Sequence, residues 1–235
     1  MSIETLVSRL PLDALNFGQF EEHSVLEVNG LGCLRGERRL FKGVSFKLKS
    51  GSLMWLQGGN GSGKTTLLRT LCGLTQAMAG EIRWCNQLVA TLGEEYRRKL
   101  MYIGHANALK EDLSAFENLR ILMQISGQSY NPKEILSALE SGGLGGREHL
   151  PVKFLSQGQR RRTALARLRL AVSCPLWLLD EPFNALDVAA VADMKDLMEK
   201  HLAQGGMIAM TTHQEVAIQS SDVQTLRLDG GASSA

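Results

Sequence analysis

The distribution of apolar positions along the chain predicts an α/β protein with a largely parallel sheet. From about residue 25 onward, short apolar runs bounded by glycine and charged residues alternate with segments of helical periodicity. Several runs are apolar at consecutive positions, as expected for strands that helices cover on both faces. The predicted strands contain, in chain order, LEVNGL, VSFKLK, LMWLQ, EIRWC, LMYIG, PLWLLD, GMIAMTT and QTLRL.

Residues 107–150 have a different pattern. Two helical segments, EDLSAFENLRILMQI and NPKEILSALESGG, follow each other without a clear strand between them. We therefore expect a helical lobe over about residues 107–165, inserted into an α/β domain of residues 25–229. We expect residues 1–24 to form an extension, because a short helical pattern there ends at Pro11, and residues 230–235 to form a tail.

Composition narrows the class of protein. The chain has 235 residues and is 44% hydrophobic, which suits one soluble globular domain. Its formal net charge of +2 gives no whole-molecule reason to expect a polyanion partner. The four cysteines have neither disulfide nor zinc spacing, and we expect them to be reduced. No signal peptide and no membrane span is predicted, so we expect a cytoplasmic protein unless a partner holds it at a membrane.

The segment MWLQGGNGSGKTTLLRTLCGL predicts a phosphate-binding loop. Its G-x-x-x-x-G-K-T spacing follows a strand-like run and opens a helix. The glycines allow backbone N–H groups to face phosphate oxygens, Lys64 can reach the β- and γ-phosphates, and the Thr65 hydroxyl can bind Mg²⁺. The expected nucleotide-binding residues are Gly58, Gly59, Asn60, Gly61, Ser62, Gly63, Lys64, Thr65 and Thr66.

Two acidic residues end the apolar run PLWLLD and follow it. Asp180 and Glu181 are predicted to lie at the carboxyl end of a buried strand, where α/β sheets bind their ligands. We expect Asp180 to hold Mg²⁺ and Glu181 to orient or deprotonate the attacking water. Such a pair is often only a solvated turn, but the phosphate loop favours the catalytic interpretation.

Residues 155–170, LSQGQRRRTALARLRL, predict a helix rich in arginine. Ser156 and Gln159 fit a capping box, and Gly158 leaves the helix N-terminus open to an anion. We expect the leucines to pack inward and the arginines to form a solvated, ion-paired face. RNA binding is disfavoured because no aromatic residues are interleaved to stack bases.

The motifs GGNGSGKTT, LSQGQ, LLDEP, NALD and TTH resemble, in order and approximate spacing, those of the nucleotide-binding subunit of ABC transporters over residues 25–229. The resemblance implies a phosphate-loop ATPase core with an antiparallel β subdomain and an inserted helical subdomain, and ATP and Mg²⁺ as ligands. It implies that Asp187 belongs to the loop that communicates across a dimer and that His213 contacts the γ-phosphate. The signature loop, Ser156, Gln157, Gly158 and Gln159, would complete the ATP site of a second copy or of a homologue.

Two residues differ from the usual ABC pattern and make the resemblance more specific. Arg35 stands where an aromatic residue usually stacks on adenine, and His105 stands where a glutamine usually senses Mg²⁺ and water. A guanidinium plane can stack instead, and a histidine can still bond water, although an inert loop histidine is the alternative. With LMYIGHANALKEDLSAFENL and LLDEPFNALDV, these positions are similar to the ATP-binding subunit of the haem exporter of bacterial cytochrome c maturation.

That resemblance implies a peripheral ATPase at the cytoplasmic face of the bacterial inner membrane. It would form a homodimer and dock through its helical lobe onto integral membrane subunits, coupling hydrolysis to haem delivery or to release of haem from a periplasmic chaperone. Neither direct haem binding nor nucleic-acid binding is expected. The alternatives are an ABC ATPase for another transported substrate and a soluble ABC ATPase that acts on nucleic acid.

Overall fold

The computed structural model describes Phe20 and residues 24–36, 38–127, 130–214 and 216–228. The predicted extension lies outside the described residues except for Phe20 and Ser24, and the predicted tail lies outside them entirely.

The described residues form two sheets. The antiparallel sheet has the order β2, β1, β4, β5, and the parallel sheet has the order β6, β7, β8, β3, β9. Every predicted strand overlaps an observed one, and the short strand β5 was not predicted. The strands are β1 Val25–Arg35, β2 Arg38–Lys49, β3 Ser52–Gln57, β4 Ala79–Trp84, β5 Gln87–Leu88, β6 Leu100–Ile103, β7 Leu176–Asp180, β8 Met207–Thr211 and β9 Asp222–Arg227.

The helices begin at residues suited to helix N-termini. Ser114 and Asn131 each form a capping box, and Pro132 opens its helix, where a missing N–H costs nothing. The α-helices are α1 Lys64–Leu71, α2 Val89–Leu92, α3 Glu94–Arg98, α4 Ala115–Ile125, α5 Pro132–Leu139, α6 Gln157–Leu170 and α7 Val188–Ala203. A π-helical turn, Glu140–Leu144, follows α5, and a 3₁₀ turn, Val152–Phe154, precedes α6.

Hydrophobic cores cover both faces of the parallel sheet. Alternate side chains of β7 enter different cores: Trp177 and Leu179 pack with the helices α4 to α7, whereas Leu176 and Leu178 pack with α1 and the antiparallel sheet. All five residues of β7 and of β8 are buried; the four consecutive apolar positions of each strand predicted this, and the polar residue that ends each strand is buried as well. The polar groups at the carboxyl ends of these two strands are therefore carried by a rigid, fully packed layer.

Candidate functional site

The phosphate loop connects β3 to α1 and needs its glycines. Gly58, Gly61 and Gly63 have φ angles of 148°, 77° and 102°, which L side chains rarely adopt. A Cβ on Gly58 would lie 2.6 Å from the Leu228 carbonyl oxygen, so this position is closed to any side chain. No side chain caps the start of α1, and its first-turn N–H groups are left for a bound anion.

Lys64 folds back over this loop. Its Nζ donates to the carbonyl oxygens of Gly58, at 2.7 Å, and of Gly59, at 3.2 Å. The Ser62 Oγ is buried and has no hydrogen-bond partner among the described residues. A cationic group and an unsatisfied hydroxyl thus lie beside uncapped N–H groups, and this donor set fits the oxygens of a polyphosphate.

Asp180 lies at the end of β7 and is 2% exposed. One carboxylate oxygen accepts a hydrogen bond of 2.8 Å from the Thr65 hydroxyl, and the other accepts one of 2.7 Å from the Thr211 hydroxyl. Parallel pairing of β7 with β8 places Asp180 and Thr211 side by side. The carboxylate is thereby held against the first turn of α1.

Glu181 has a left-handed backbone with φ 51°, a conformation that costs a non-glycine residue about 1–3 kcal/mol. Its N–H donates to the Thr211 hydroxyl at 2.9 Å and to the Thr211 carbonyl at 3.2 Å. Its Oε1 lies 3.3 Å from Nε2 of His213, and its Oε2 accepts from the His213 N–H at 3.3 Å. The carboxylate therefore faces the cleft beside the imidazole.

A cleft of about 640 Å³ joins these groups. Its lining includes Arg35, Asn60, Gly61, Gly63, Lys64, Thr65, Thr66, His105, Asp180, Glu181 and His213. Both Arg35 and His105 are exposed, and their roles stay predictions. The cleft is also lined by Leu34, Leu40, Arg69, Thr75 and Asn184, which were not predicted as site residues.

The signature loop and Asp187 do not line this cleft. Ser156 caps α6 in the predicted box with Gln159, through bonds of 2.9 and 3.3 Å. A Cβ on Gly158 would lie 2.8 Å from the Ala185 carbonyl oxygen, so the signature loop packs tightly on the segment before α7. The N-terminus of α6 is consequently free of the nucleotide cleft of its own chain.

The Asp187 side chain makes contacts with both α6 and α7. It caps α7 by accepting the Ala190 N–H at 2.9 Å, and it forms an ion pair with Arg162. The Ala190 hydrogen bond, aided by the Arg162 charge, lowers the pKa of the Asp187 carboxyl from its ordinary value.

The prediction of a solvated arginine face on α6 was wrong for two of its members. Arg161 and Arg169 are 3% and 4% exposed. Arg169 pairs with Asp193 of α7, and Arg161 donates to carbonyl oxygens at the end of β7. Burial lowers the pKa of Arg161, and the charges of Asp180 and Glu181 oppose that effect. Ion pairing itself was correctly predicted for Arg160, Arg162 and Arg169.

The described residues contain no group of three or more His, Cys, Asp or Glu side chains that could hold a metal alone. The hydroxyl of Thr65 and the carboxylate of Asp180 are the hard oxygen donors that Mg²⁺ prefers, and this cation commonly completes its shell with phosphate oxygens and water. Within the same part of the chain, no helix has the length and apolar character of a membrane span.

The fold and this site define a phosphate-loop ATPase. A family model described as "ABC transporter" matches residues 41–184. A solved structure described as an ATP-binding subunit of an ABC transporter is 28% identical with a TM-score of 0.72, covering 80% of this chain and 79% of that one. A second solved structure is the dimeric post-hydrolysis state of the ATP-binding cassette MJ0796 bound to ADP and Pi. It is 26% identical with a TM-score of 0.69, covering 80% of this chain and 88% of that one.

Curated relatives narrow the assignment. The cytochrome c biogenesis ATP-binding export protein CcmA of Nitrosospira multiformis is 52% identical over 203 residues, 86% of this chain and 98% of the relative. CcmA of Haemophilus influenzae is 43% identical over 209 residues, 89% and 97% of the two chains. The chain therefore belongs to the ABC transporter family and, within it, to the cytochrome c biogenesis ATP-binding export proteins.

Proposed function

We propose that this chain is the ATP-hydrolysing subunit of an ABC exporter for bacterial cytochrome c biogenesis, coupling hydrolysis to haem delivery or to release of haem from its periplasmic chaperone. The observation that carries this proposal is the 52% identity to CcmA over nearly the whole length of that relative. The replacement of the usual glutamine by His105 and of the usual aromatic residue by Arg35 supports the same assignment.

The proposed roles follow from the geometry of the cleft. The phosphate loop, Gly58 to Thr66, binds the phosphates, and Lys64 exchanges its two carbonyl partners for β- and γ-phosphate oxygens. Thr65 and Asp180 hold Mg²⁺, which when bound supplies positive charge to the phosphates. Glu181 orients or deprotonates the attacking water, and His213 contacts the γ-phosphate. His105 forms a hydrogen bond to water near the γ-phosphate, and Arg35 stacks on the adenine base.

Two copies would form the complete ATP sites. Ser156, Gln157, Gly158 and Gln159 lie outside the cleft of their own chain, and the α6 N-terminus suits a phosphate from another one. The dimeric state of MJ0796 supports this arrangement. Asp187, which joins α6 to α7, is proposed to communicate across the dimer.

Integral membrane subunits would provide the partner surface, with the chain peripheral at the cytoplasmic face of the inner membrane. The helical lobe exposes large apolar side chains, with Phe154 71% and Ile125 78% accessible. A partner of this kind is expected to cover such residues. We propose neither direct haem binding nor nucleic-acid binding by this chain.

The experiment is covalent haem staining of c-type cytochromes in cells whose only copy of the gene for this chain carries Glu181→Gln. The b-type haem of the same cells is the internal control. Glu95→Gln, on the exposed surface of α3, is the matched variant, and immunoblotting checks the amount of both proteins. We expect c-type staining to be lost only in Glu181→Gln, with b-type haem intact. Normal staining in that variant would leave an ABC ATPase for another substrate and remove the haem assignment.

A further inference from the structure

All five N–H donors of the Arg161 guanidinium are used inside the protein. Nη2 donates to the carbonyl oxygens of Asp180, at 3.0 Å, and Glu181, at 2.7 Å. Nε donates to the Pro182 carbonyl at 3.4 Å, and Nη1 donates to the Gly104 carbonyl at 3.0 Å and to Asn107 Oδ1 at 3.2 Å. Among the described residues no acidic side chain forms an ion pair with Arg161, so its direct partners are carbonyl and amide oxygens. The charges of Asp180 and Glu181 act on it from a greater distance.

These acceptors belong to two segments that carry proposed catalytic groups. The Asp180 to Pro182 backbone carries both carboxylates, and the loop after β6, from Gly104 to Asn107, carries His105. A single side chain from α6 therefore joins both segments.

The strained backbone of Glu181 shows what this connection fixes. Thr211 accepts the Glu181 N–H, and Arg161 donates to the Glu181 carbonyl, so both polar backbone groups of a residue with φ 51° are held. A left-handed conformation in a non-glycine residue persists only where its surroundings enforce it. Without Arg161, the Glu181 carbonyl keeps only the longer hydrogen bond from the Asn184 N–H, at 3.3 Å, and is held less firmly.

The neighbouring Arg160 binds a later part of the chain that connects β6 to α4. Arg160 donates to Glu111 Oε1 at 2.9 Å, and also to the carbonyl oxygens of Leu155 at 3.0 Å and Lys153 at 2.9 Å. The chain from Gly104 to Glu111 is thus attached to the start of α6 at both ends.

Few side chains can replace Arg161. Lysine has three donors on one atom and glutamine has two, whereas the acceptors around Arg161 bond to all three nitrogens of a planar guanidinium. Arg161 donates five hydrogen bonds, so either substitution removes at least two of them.

From this geometry we infer that Arg161 is a positioning residue for ATP hydrolysis, which sets the backbone of Glu181 and the His105 loop in one arrangement around the nucleotide. The inference rests on the ATPase activity of the chain and is independent of what is exported. Arg161 does not line the nucleotide cleft, so its effect is on turnover and not on nucleotide affinity.

The test compares Arg161→Gln with Arg169→Gln in the full-length chain, purified by a tag together with the membrane subunits it retains. Arg169 lies on the same helix and is equally buried, but its partner is Asp193 of α7, away from the cleft. We expect Arg161→Gln to lower kcat by about 10- to 100-fold with KM for ATP within about twofold, because small misplacements of catalytic groups have effects of this size. In Arg169→Gln, kcat per folded molecule should be unchanged even where the melting temperature falls.

A double substitution separates positioning from general damage. Because Arg161 acts mainly through Glu181, with a smaller effect through the His105 loop, adding Arg161→Gln to Glu181→Gln should cause much less than the full single-variant loss. Independent, multiplying losses would overturn the inference, as would a kcat of Arg161→Gln within about twofold of wild type or an equal loss in Arg169→Gln. If Arg161→Gln does not fold, Arg161→Lys is used, which keeps the charge and three donors and should have an intermediate kcat at unchanged KM.

Discussion

Thr211 is the residue whose replacement most directly tests the arrangement of the two carboxylates. Its hydroxyl donates to Asp180 Oδ1 at 2.7 Å and accepts the Glu181 N–H at 2.9 Å. Valine has nearly the same shape as threonine, so Thr211→Val removes these two hydrogen bonds with little change in packing. The position is fully buried, and water cannot replace the lost hydroxyl.

The expected cost follows from the partners. A buried hydrogen bond to an ionised carboxylate contributes about 1.5–3 kcal/mol, and a neutral one about 0.5–1.5 kcal/mol. The Glu181 N–H keeps a second acceptor, the Thr211 carbonyl at 3.2 Å, so its loss lies at the low end. We therefore expect Thr211→Val to lower the free energy of unfolding by about 2–4 kcal/mol.

The assay is urea denaturation, with Thr163→Val as the matched control. Thr163 is also fully buried, but among the described residues its hydroxyl bonds only to the Gln159 carbonyl within its own helix, at 2.9 Å. Its replacement should cost about 1 kcal/mol or less. The reasoning is refuted if the two variants differ by less than about 0.5 kcal/mol, which is the usual size of unrelated effects.

Two further predictions concern assembly and pH. Glu181→Gln should trap the ATP-bound dimer, and gel filtration with ATP and Mg²⁺ would contradict the composite site if this variant elutes as a monomer. Burial lowers the pKa of His201 to about 3 from its ordinary 6.5. The unfolded chain therefore binds a proton there that the folded chain does not, and stability present above about pH 6.5 is lost as the pH falls toward 3. Between pH 7 and pH 5 wild type should lose about 2 kcal/mol more than His201→Phe, whose ring can still stack on Trp177, and equal losses in denaturant titrations would refute this.

Sequence patterns predict well those parts of the fold whose structure is determined by residues close together in the sequence. The run LWLL is apolar at four consecutive positions, so the burial of this strand on both faces followed directly. The Ser156 and Gln159 side chains identified the start of α6 without tertiary information. The phosphate loop was equally clear, because its glycines are required by the backbone angles of the loop itself.

Residues whose roles depend on distant contacts were missed for physical reasons. Thr211 is separated from Asp180 by 31 positions, and only the pairing of β7 with β8 brings their side chains together. Arg161 was expected on a solvated face, because hydrophobic periodicity assigns charged residues to the surface. Its burial depends on five acceptors supplied by two other segments, which no pattern within α6 reveals.

The three consecutive arginines at the start of α6 point in different directions, because successive helical residues are about 100° apart. Arg160 binds the loop after β6, Arg161 binds the end of β7, and Arg162 binds Asp187 before α7. In the proposed dimer, the N-terminus of this helix faces the nucleotide of the other copy. A movement of that N-terminus when the dimer closes on nucleotide would then be passed through the hydrogen bonds of Arg161 to the backbone of the two carboxylates in its own chain. The same helix therefore has the contacts needed to couple the two ATP sites, and Arg161 is the contact that reaches the catalytic backbone.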